Sequence, residues 1–448
     1  MTIELSDITF TIKADVIPPF GVEDILNTGI SNTLAGNDII KGDSNNSIIT
    51  STNRKESTGL SNTGTLNTGD GNDILTGIFN DQDTSPKTDI QQIYGIRSTI
   101  GVIDTGNGND IIKGIIQKDQ DLGYILNAAI RNDYQSTIYT GNGNDIITGI
   151  HNDLFNYSGN GIINEGFINT GDGNDIIEGT VTSGVGISSG TINTGDGNDI
   201  IKGTATIGGG IGTIGVGIFF NSSYGTDTSI AVDTGRGNDI IAGTGNTIGL
   251  EIYTTITTGD GNDTIRGTGV FGEGFYNAQG SVYTGDGNDI ITGSSRDNLS
   301  ISNGNQYRTS SIIDTGDGND VITGISGAGI YNSGIIKTGN GNDSLIADAS
   351  YSIDFHGEGS VFLENGKDFL KGFGSGIFNG GNGKDTLELT TPGVYIIGIS
   401  GTTVNFFAPQ FTTTMQTSDF EILIAGGTTY DFSSLTDGQI ISIPYPSI

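Results

Sequence analysis

The sequence contains no cysteine, so disulfides, zinc–thiolate sites and a cysteine nucleophile are excluded. Histidine is almost as rare. Only His151 and His356 occur, in GIHND and DFHGE, and no HExxH pair is present, so a metalloprotease of that type has no ligands to use. Basic residues are few: 18 Lys and Arg stand against 51 Asp and Glu, a formal net charge of -33. Nucleic acid is a poor partner for such a chain, because phosphate recognition needs clustered Lys and Arg. Proline is scarce at 7 residues against 76 glycines, which excludes a collagen-like repeat. No apolar run approaches the ~20 residues of a membrane helix. The N-terminal MTIELSDITFTIKADVIPPF has neither a basic n-region nor a continuous apolar h-region, so it does not read as a Sec-type signal. The chain is expected to be soluble, with any export by another route.

What is abundant is a repeat. TGxGND begins at Thr68, Thr105, Thr140, Thr170, Thr194, Thr234, Thr258, Thr284, Thr315 and Thr338, with looser copies at 33–38 (TLAGND), 364–368 (ENGKD) and 380–385 (GGNGKD). Successive motif aspartates, from Asp38 to Asp385, are 17 to 40 residues apart, and the shortest common unit in the middle is 24 residues. Helical repeats do not tolerate such elastic spacing, nor this glycine density, which costs ~1 kcal/mol per site in a helix. A coil of short strands does, because extra residues go into loops.

Aliphatic residues hold register with the motif. Two residues before each motif Thr stand Leu66, Ile103, Ile138, Ile168, Ile192, Val232, Ile256, Val282, Ile313 and Ile336. Two after each Asp stand Leu75, Ile112, Ile147, Ile177, Ile201, Ile241, Ile265, Ile291, Ile322 and Leu345. Period-two alternation places both sets on the inner face of strands. The residue directly after the Asp, usually Ile but Thr264 and Ser344 in two copies, then faces outward, as a β-favouring surface stripe or as a packing surface for another chain. Tetrapeptides such as GISN (29–32), GLSN (59–62), GIFN (77–80), GIHN (149–152), GIIN (161–164), GFYN (274–277) and GIYN (329–332) read as a recurring central segment. The fold class is all-β: a right-handed parallel β-solenoid with a small β-rich C-terminal cap. Residues 1–27 read as an N-terminal cap, 28–350 as the solenoid, 351–387 as closing degenerate repeats and 388–448 as the C-terminal β cap. The stretches 41–60, 80–92 and around 204–230 read as polar or glycine-rich loops.

The corner carries the chemistry. Its glycines permit positive φ and close backbone approach, and its last residue delivers one carboxylate per coil. Stacked at ~4.8 Å, neighbouring carboxylates repel by roughly 3 kcal/mol at an effective dielectric near 20. A hard dication between turns converts that repulsion to attraction. Calcium, which accepts 6–8 oxygens in flexible geometry, suits the motif best; zinc lacks Cys or His ligands here, and magnesium prefers a stricter octahedron. The expected behaviour is a chain that folds once its negative charge is neutralised.

The motif resembles the glycine- and aspartate-rich nonapeptide, G-G-x-G-x-D-x-U-x, of the RTX (haemolysin-type) calcium-binding repeats. That resemblance implies calcium held jointly by adjacent coils. The carboxylate ligands would be Asp73, Asp110, Asp145, Asp175, Asp199, Asp239, Asp263, Asp289, Asp320, Asp343 and Asp385. Carbonyl ligands would come from the first four motif positions, such as Thr194, Gly195, Asp196 and Gly197. The chain departs from the family pattern in having Thr for the first Gly and one motif per wide coil. Arg236 stands at the third position of one copy, and Lys367 and Lys384 at the Asn position of two others. The tail, with YDFSSL before an apolar finish, resembles cyanobacterial-type RTX ends, which implies type I secretion to the exterior or cell surface through an uncleaved C-terminal signal.

No enzyme is expected. GISSG at 186–190 matches the GxSxG elbow in letters only, since it falls on a solenoid strand. A calcium-dependent, lyase-like β-helix acting on carbohydrate is one alternative, although the basic residues it would use (Arg97, Lys113, Arg236, Arg266) are scattered. An ice-binding solenoid is another, suggested by the repeated Asn of the motif. The leading expectation is a secreted, calcium-binding structural or surface protein. Its partners would be calcium ions, with a cell-surface polysaccharide or self-association as further candidates.

Overall fold

The computed structural model describes residues 2–17, 24–44, 49–51, 54–81, 92–118, 126–153, 159–206, 215–221, 231–307, 310–349 and 353–445. These fall into two compact units, Met1–Thr247 and Ile248–Ile448. Each is an all-β parallel solenoid. Among the described residues the only helical turns are the short 3-10 segments Leu5–Asp7 and Phe432–Ser434.

One coil of the first unit shows the construction. After the corner closing at Asp175, the strand Ile176–Val181 pairs in parallel with Ile146–Asp153 before it and Ile200–Ala205 after it, residue by residue. The chain then returns along Gly184–Asn193, which pairs in parallel with Gly159–Asn169 and Gly215–Phe220, and enters the next TGDGND corner. In the second unit the post-corner strands Thr264–Gly269, Ile290–Ser295, Val321–Ile325, Ser344–Asp348, Phe369–Lys371 and Thr386–Leu389 stack in the same manner. The pairing becomes antiparallel near the C-terminus, where Gly393–Ser400 pairs with Thr403–Ala408 and with Ile440–Ile443.

Both aliphatic columns face inward as the alternation requires: Ile192 and Ile201 are 1% and 0% exposed, and their counterparts up and down each unit are equally buried. Each such side chain contributes roughly 1.5–3 kcal/mol. The residue after each Asp lies on the outer face, and Ile39, Ile240 and Ile290 are among the exposed hydrophobics. The fourth residue after the Asp is glycine in most coils because the two walls nearly touch there. A Cβ on Gly179 would lie 2.1 Å from the Gly186 carbonyl oxygen, and one on Gly203 would lie 2.2 Å from that of Gly217.

The GxxN tetrapeptides are not one element. Gly77–Asn80 and Gly149–Asn152 continue the post-corner strands Ile74–Asp81 and Ile146–Asp153, whereas the tetrapeptides at 59, 161, 274 and 329 lie on the opposite wall. Alternation alone fits either wall, and only the pairing register separates them. On the opposite wall the Asn side chains turn inward and stack: Asn27 Nδ2 donates to Asn62 Oδ1 at 2.8 Å, Asn132 to Asn164 at 2.8 Å, Asn277 to Asn303 at 2.9 Å and Asn303 to Asn332 at 2.9 Å. The ladders pair these buried amide N–H groups with the next Oδ1, which is what makes them tolerable in the interior, while Asn132 Oδ1 and Asn277 Oδ1, at the starts of their ladders, have no donor among the described residues.

Several boundaries differ from the sequence expectation. Parallel pairing begins before residue 28, since Thr2–Glu4 pairs with Asp24–Asn27 and Val16–Ile17 with Ile39–Ile40. Within 41–60, Arg54–Asn62 is a strand rather than a loop, and it pairs antiparallel with Ile49–Ser51. Of 204–230, Gly215–Phe220 is a buried strand; 207–214 and 222–230 lie outside the described residues, as does 82–91 of the 80–92 stretch. Beyond 387 the chain adds parallel strands, Thr413–Ser418 on Gly376–Asn379 and Ile422–Ala425 on Thr386–Leu389. GISSG lies within the parallel strand Gly184–Asn193, with no strand-to-helix turn.

The corner backbone repeats closely. Gly195 has φ 81° and Gly197 φ 155°, and a Cβ on Gly197 would lie 1.5 Å from the Gly173 carbonyl oxygen. In two of the three degenerate corners the first glycine's place is taken by Leu34 (φ 71°) and Glu364 (φ 69°), which hold a left-handed conformation disfavoured by about 1–2 kcal/mol. Leu34→Gly should therefore stabilise the protein by about 1 kcal/mol. Gly197→Ala should destabilise it by more than about 2 kcal/mol. Chemical denaturation of the two variants in parallel checks both signs.

Candidate metal centre

Each corner holds its neighbours through side-chain-to-backbone bonds that alternate in direction. The aspartate reaches back. Its Oδ1 accepts the backbone N–H of the preceding motif Asp: Asp73 from Asp38 (2.7 Å), Asp110 from Asp73 (2.7 Å), Asp145 from Asp110 (2.7 Å), Asp175 from Asp145 (2.8 Å), Asp199 from Asp175 (2.8 Å) and Asp239 from Asp199 (2.8 Å). The second unit repeats this at 2.8 Å from Asp263 through Asp289, Asp320, Asp343 and Asp368 to Asp385. The asparagine at the fifth position reaches forward. Asn174 Oδ1 accepts the Asn198 N–H at 2.7 Å and the Asn198 Nδ2 at 3.2 Å. The third position does likewise more weakly, with Asn107 N–H donating to Asp70 Oδ1 at 3.2 Å and Arg236 N–H to Asp196 Oδ1 at 3.2 Å.

The motif aspartates are buried and the motif asparagines exposed, so the two residues meet opposite electrostatic conditions. The asparagine amide donates to one neighbour and accepts from the other, and a carboxylate in its place would lack the donor. The aspartate has one oxygen committed to a backbone amide and one left over. That second oxygen, Oδ2, is buried with no hydrogen-bond donor among the described residues at Asp73, Asp110, Asp145, Asp175 and Asp199. The same holds at Asp289, Asp320, Asp343, Asp368 and Asp385. Asp38, in the first degenerate corner, differs: its Oδ2 accepts the Thr33 hydroxyl at 2.5 Å.

Burial dominates the ionisation of the column. It pushes the Asp199 carboxyl up from the ordinary 3.8 to about 7, against the lowering pull of the Asp175 amide and of the nearby Thr194 hydroxyl, whose own hydrogen bond goes to Thr234 O at 3.5 Å. Burial likewise raises Asp110, Asp175, Asp320 and Asp368 to about 7. Asp73, Asp145, Asp343 and Asp385 rise to about 6 for the same reason. Neighbouring motif carboxylates add to the rise at Asp110, Asp199, Asp320 and Asp368.

The aspartates expected as ligands thus share one column in each unit. Asp368 belongs to it as well, although Glu364 and Lys367 obscure its motif; the surviving G-x-D was the available signal. The carbonyls expected beside Asp199 are engaged along the stack. Thr194 O accepts the Thr170 hydroxyl at 3.4 Å and Asp196 O accepts the Gly173 N–H at 2.9 Å. Gly195 O and Gly197 O face the α-carbons of Gly235 and Gly237, where a Cβ would lie 2.0 Å and 1.5 Å away. A carbonyl has two lone pairs, so these contacts leave acceptor capacity in the corner. Among the described residues no three Asp, Glu or His side chains converge on one point. An ion held here would draw one carboxylate from each of two successive coils, with the rest of its shell from backbone and water. The hard, anionic, oxygen-only donor set fits a calcium-like cation, and the buried Oδ2 atoms are where such a cation is needed.

No protein-family model matches the chain, and no curated protein matches it. Among solved structures, one similar chain is a hyperactive, Ca2+-dependent, β-helical antifreeze protein from an Antarctic bacterium. The two are 18% identical over 95% of this chain and 96% of that one, with a TM-score of 0.45.

The raised carboxyls set the pH dependence of the metal-free protein. A carboxyl whose folded value lies above its unfolded value stabilises the fold when protonated, and that stability is lost as pH rises. The window here runs from the ordinary 3.8 up to about 7. In a chelating buffer the unfolding temperature should be lower at about pH 8 than at about pH 5, by about 10 °C or more. Thermal unfolding followed by circular dichroism measures it, and a midpoint that climbs over this interval contradicts the assignment.

Proposed function

We propose that the chain is a calcium-stabilised structural protein that works outside the cell or at its surface, without enzymatic activity. The observation that carries this reading is the column of buried carboxylates in each unit: at ten of them one oxygen is bonded to the neighbouring coil and the other lacks a donor among the described residues. Near neutral pH such a column either takes up protons or binds a cation. Strand spacing of ~4.8 Å is about twice a calcium–oxygen bond of ~2.4 Å, which suits an ion shared by successive coils. When bound, calcium supplies the positive charge that lets neighbouring carboxylates stay ionised side by side. The motif aspartates from Asp73 to Asp385 would hold it, Asp368 among them, and the corner carbonyls would complete the shell. Millimolar calcium is an extracellular condition, which together with the tail resembling type I substrates supports a secreted location. The outer Ile rank and a cell-surface polysaccharide are the candidates for contact with other molecules.

One observation favours the ice-binding alternative: the fifth-position asparagines form an exposed rank whose amides are fixed in a ladder, as in Asn262–Asn288–Asn319–Asn342. The neighbouring third-position rank mixes Asp, Asn and Arg236, which breaks the regularity a crystal face demands. Thermal hysteresis in calcium-loaded protein would raise this reading above the first.

Two substitutions test the calcium reading. Asp199→Asn keeps an oxygen for the Asp175 amide and removes one buried charge. With calcium present it should lower affinity about tenfold at the sites it joins and move the folding midpoint to higher calcium. In chelator at about pH 8 the same variant should be more stable than the parent, because an unmatched buried charge has gone. Asp196→Asn, exposed at the third position, should change neither by more than about twofold. Calcium titrations followed by calorimetry and circular dichroism distinguish these outcomes. Equal effects of the two substitutions in calcium, or the absence of any calcium response, reject the proposal.

A further inference from the structure

The last recognisable motif ends at Asp385, yet the Asp-to-amide ladder does not stop there. The backbone N–H of Asp385 donates to Glu421 Oε2 at 2.7 Å, as the N–H of Asp368 donates to Asp385 Oδ1 at 2.8 Å. The surrounding backbone repeats too. Gly380 N–H donates to Ser418 O at 3.0 Å, as Leu363 N–H donates to Asn379 O at 3.0 Å, and Ile422 N–H donates to Asp385 O at 3.0 Å, as Thr386 N–H donates to Asp368 O at 2.8 Å. The segment Thr413–Ala425 is therefore one more coil. Its strands register Ser418 on Asn379 and Ile422 on Thr386.

Its corner is abbreviated. Between the paired strands the preceding coil has Gly380 to Asp385, whereas this one has only Asp419, Phe420 and Glu421. Glu421 nevertheless immediately precedes Ile422 as Asp385 precedes Thr386, and its longer side chain still reaches the Asp385 amide. Asp385 supplies the other half: it is 0% exposed, and its Oδ2 has no hydrogen-bond donor among the described residues. The Asp419 carboxylate is turned elsewhere, accepting Asn379 Nδ2 at 2.6 Å.

The geometry points to Glu421 as the terminal carboxylate of the cation column, forming with Asp385 a metal site beyond the last repeat. This rests on the calcium reading above. Its consequence is local. Glu421 joins two strands that each carry an antiparallel partner, Thr403–Ala408 on Thr413–Ser418 and Thr428–Asp431 on Ile422–Ala425. A cation at this corner fastens the C-terminal hairpins to the repeats, so their order becomes calcium-dependent although they contain no motif.

The test is Glu421→Gln in the full chain, which keeps an oxygen for the Asp385 amide and removes the charge, with the exposed Glu358→Gln as a control for net charge. Calcium per chain is counted by equilibrium dialysis with atomic emission, and hydrogen exchange is followed over 312–345 and 393–443. E421Q should bind about one ion fewer than the parent and the control. Its amides in 403–425 should exchange at least about tenfold faster in calcium, while those of 312–345 are unchanged. In the unmodified chain, added calcium should slow exchange in 403–425, a measurement that holds even if E421Q does not fold. Calcium uptake by the parent with no loss in E421Q, or no calcium effect on 403–425 in the parent, overturns this inference and leaves the motif sites standing. A parent chain that takes up no calcium overturns both.

Discussion

Everything in the solenoid depends on one bond repeated: a buried aspartate oxygen accepting the backbone N–H of the equivalent aspartate one coil earlier. The bond fixes the spacing and register of the corners, and through them the register of the strands that leave each corner. It also creates the molecule's main electrostatic difficulty. A carboxylate that gives one oxygen to a backbone amide must place the other in the same buried space, where burial pushes its ionisation toward neutrality. The fold is built around a line of charges that it cannot itself neutralise. Protons or cations must do so, and the conditions in which the chain is stable follow from which of them is available.

The six-residue corner divides its labour by residue type. Glycines at the second and fourth positions let successive corners approach until carbonyl oxygens touch the next α-carbon. Asparagine, facing water, both donates and accepts, so it can form an endless ladder. Aspartate, facing inward, can only accept, so its ladder leaves a remainder. The adjacent pair Asn-Asp thus combines a self-sufficient exterior seam with an interior seam that requires a third party.

Much of this was legible in the amino-acid order. The two aliphatic columns and the motif aspartates follow from fixed offsets, such as Ile192 and Ile201 about Thr194 and Asp199, because strand alternation and corner geometry are local. What was not legible depends on which wall a segment joins. Gly149–Asn152 and Gly161–Asn164 are alike in letters but lie on opposite walls, and only hydrogen-bond register distinguishes them. The buried ladders of Asn132 with Asn164 and of Asn277 with Asn303 were hidden for the same reason, since an Asn in a strand looks like a surface residue until its neighbour one coil away is known. Arg54–Asn62 was hidden by its charge, although its later residues, Ser57 to Asn62, are buried. Glu421 had no motif around it, and its place emerges only where the chain returns over Asp385.

The opposite directions of the two corner ladders bear on how such a chain can change over generations. Within each unit, a coil with the full motif carries a forward-reaching asparagine and a backward-reaching aspartate, so a boundary between two such coils receives one contribution from each side. Deleting a whole coil, or copying one in tandem, leaves every remaining boundary with the same two contributions. Length can therefore vary by gene duplication or loss without compensating substitutions, while the special residues are confined to the ends. The even register of the corners beside the uneven lengths of the intervening segments, 23 residues between Asp320 and Asp343 but 40 between Asp199 and Asp239, is the record such a history would leave.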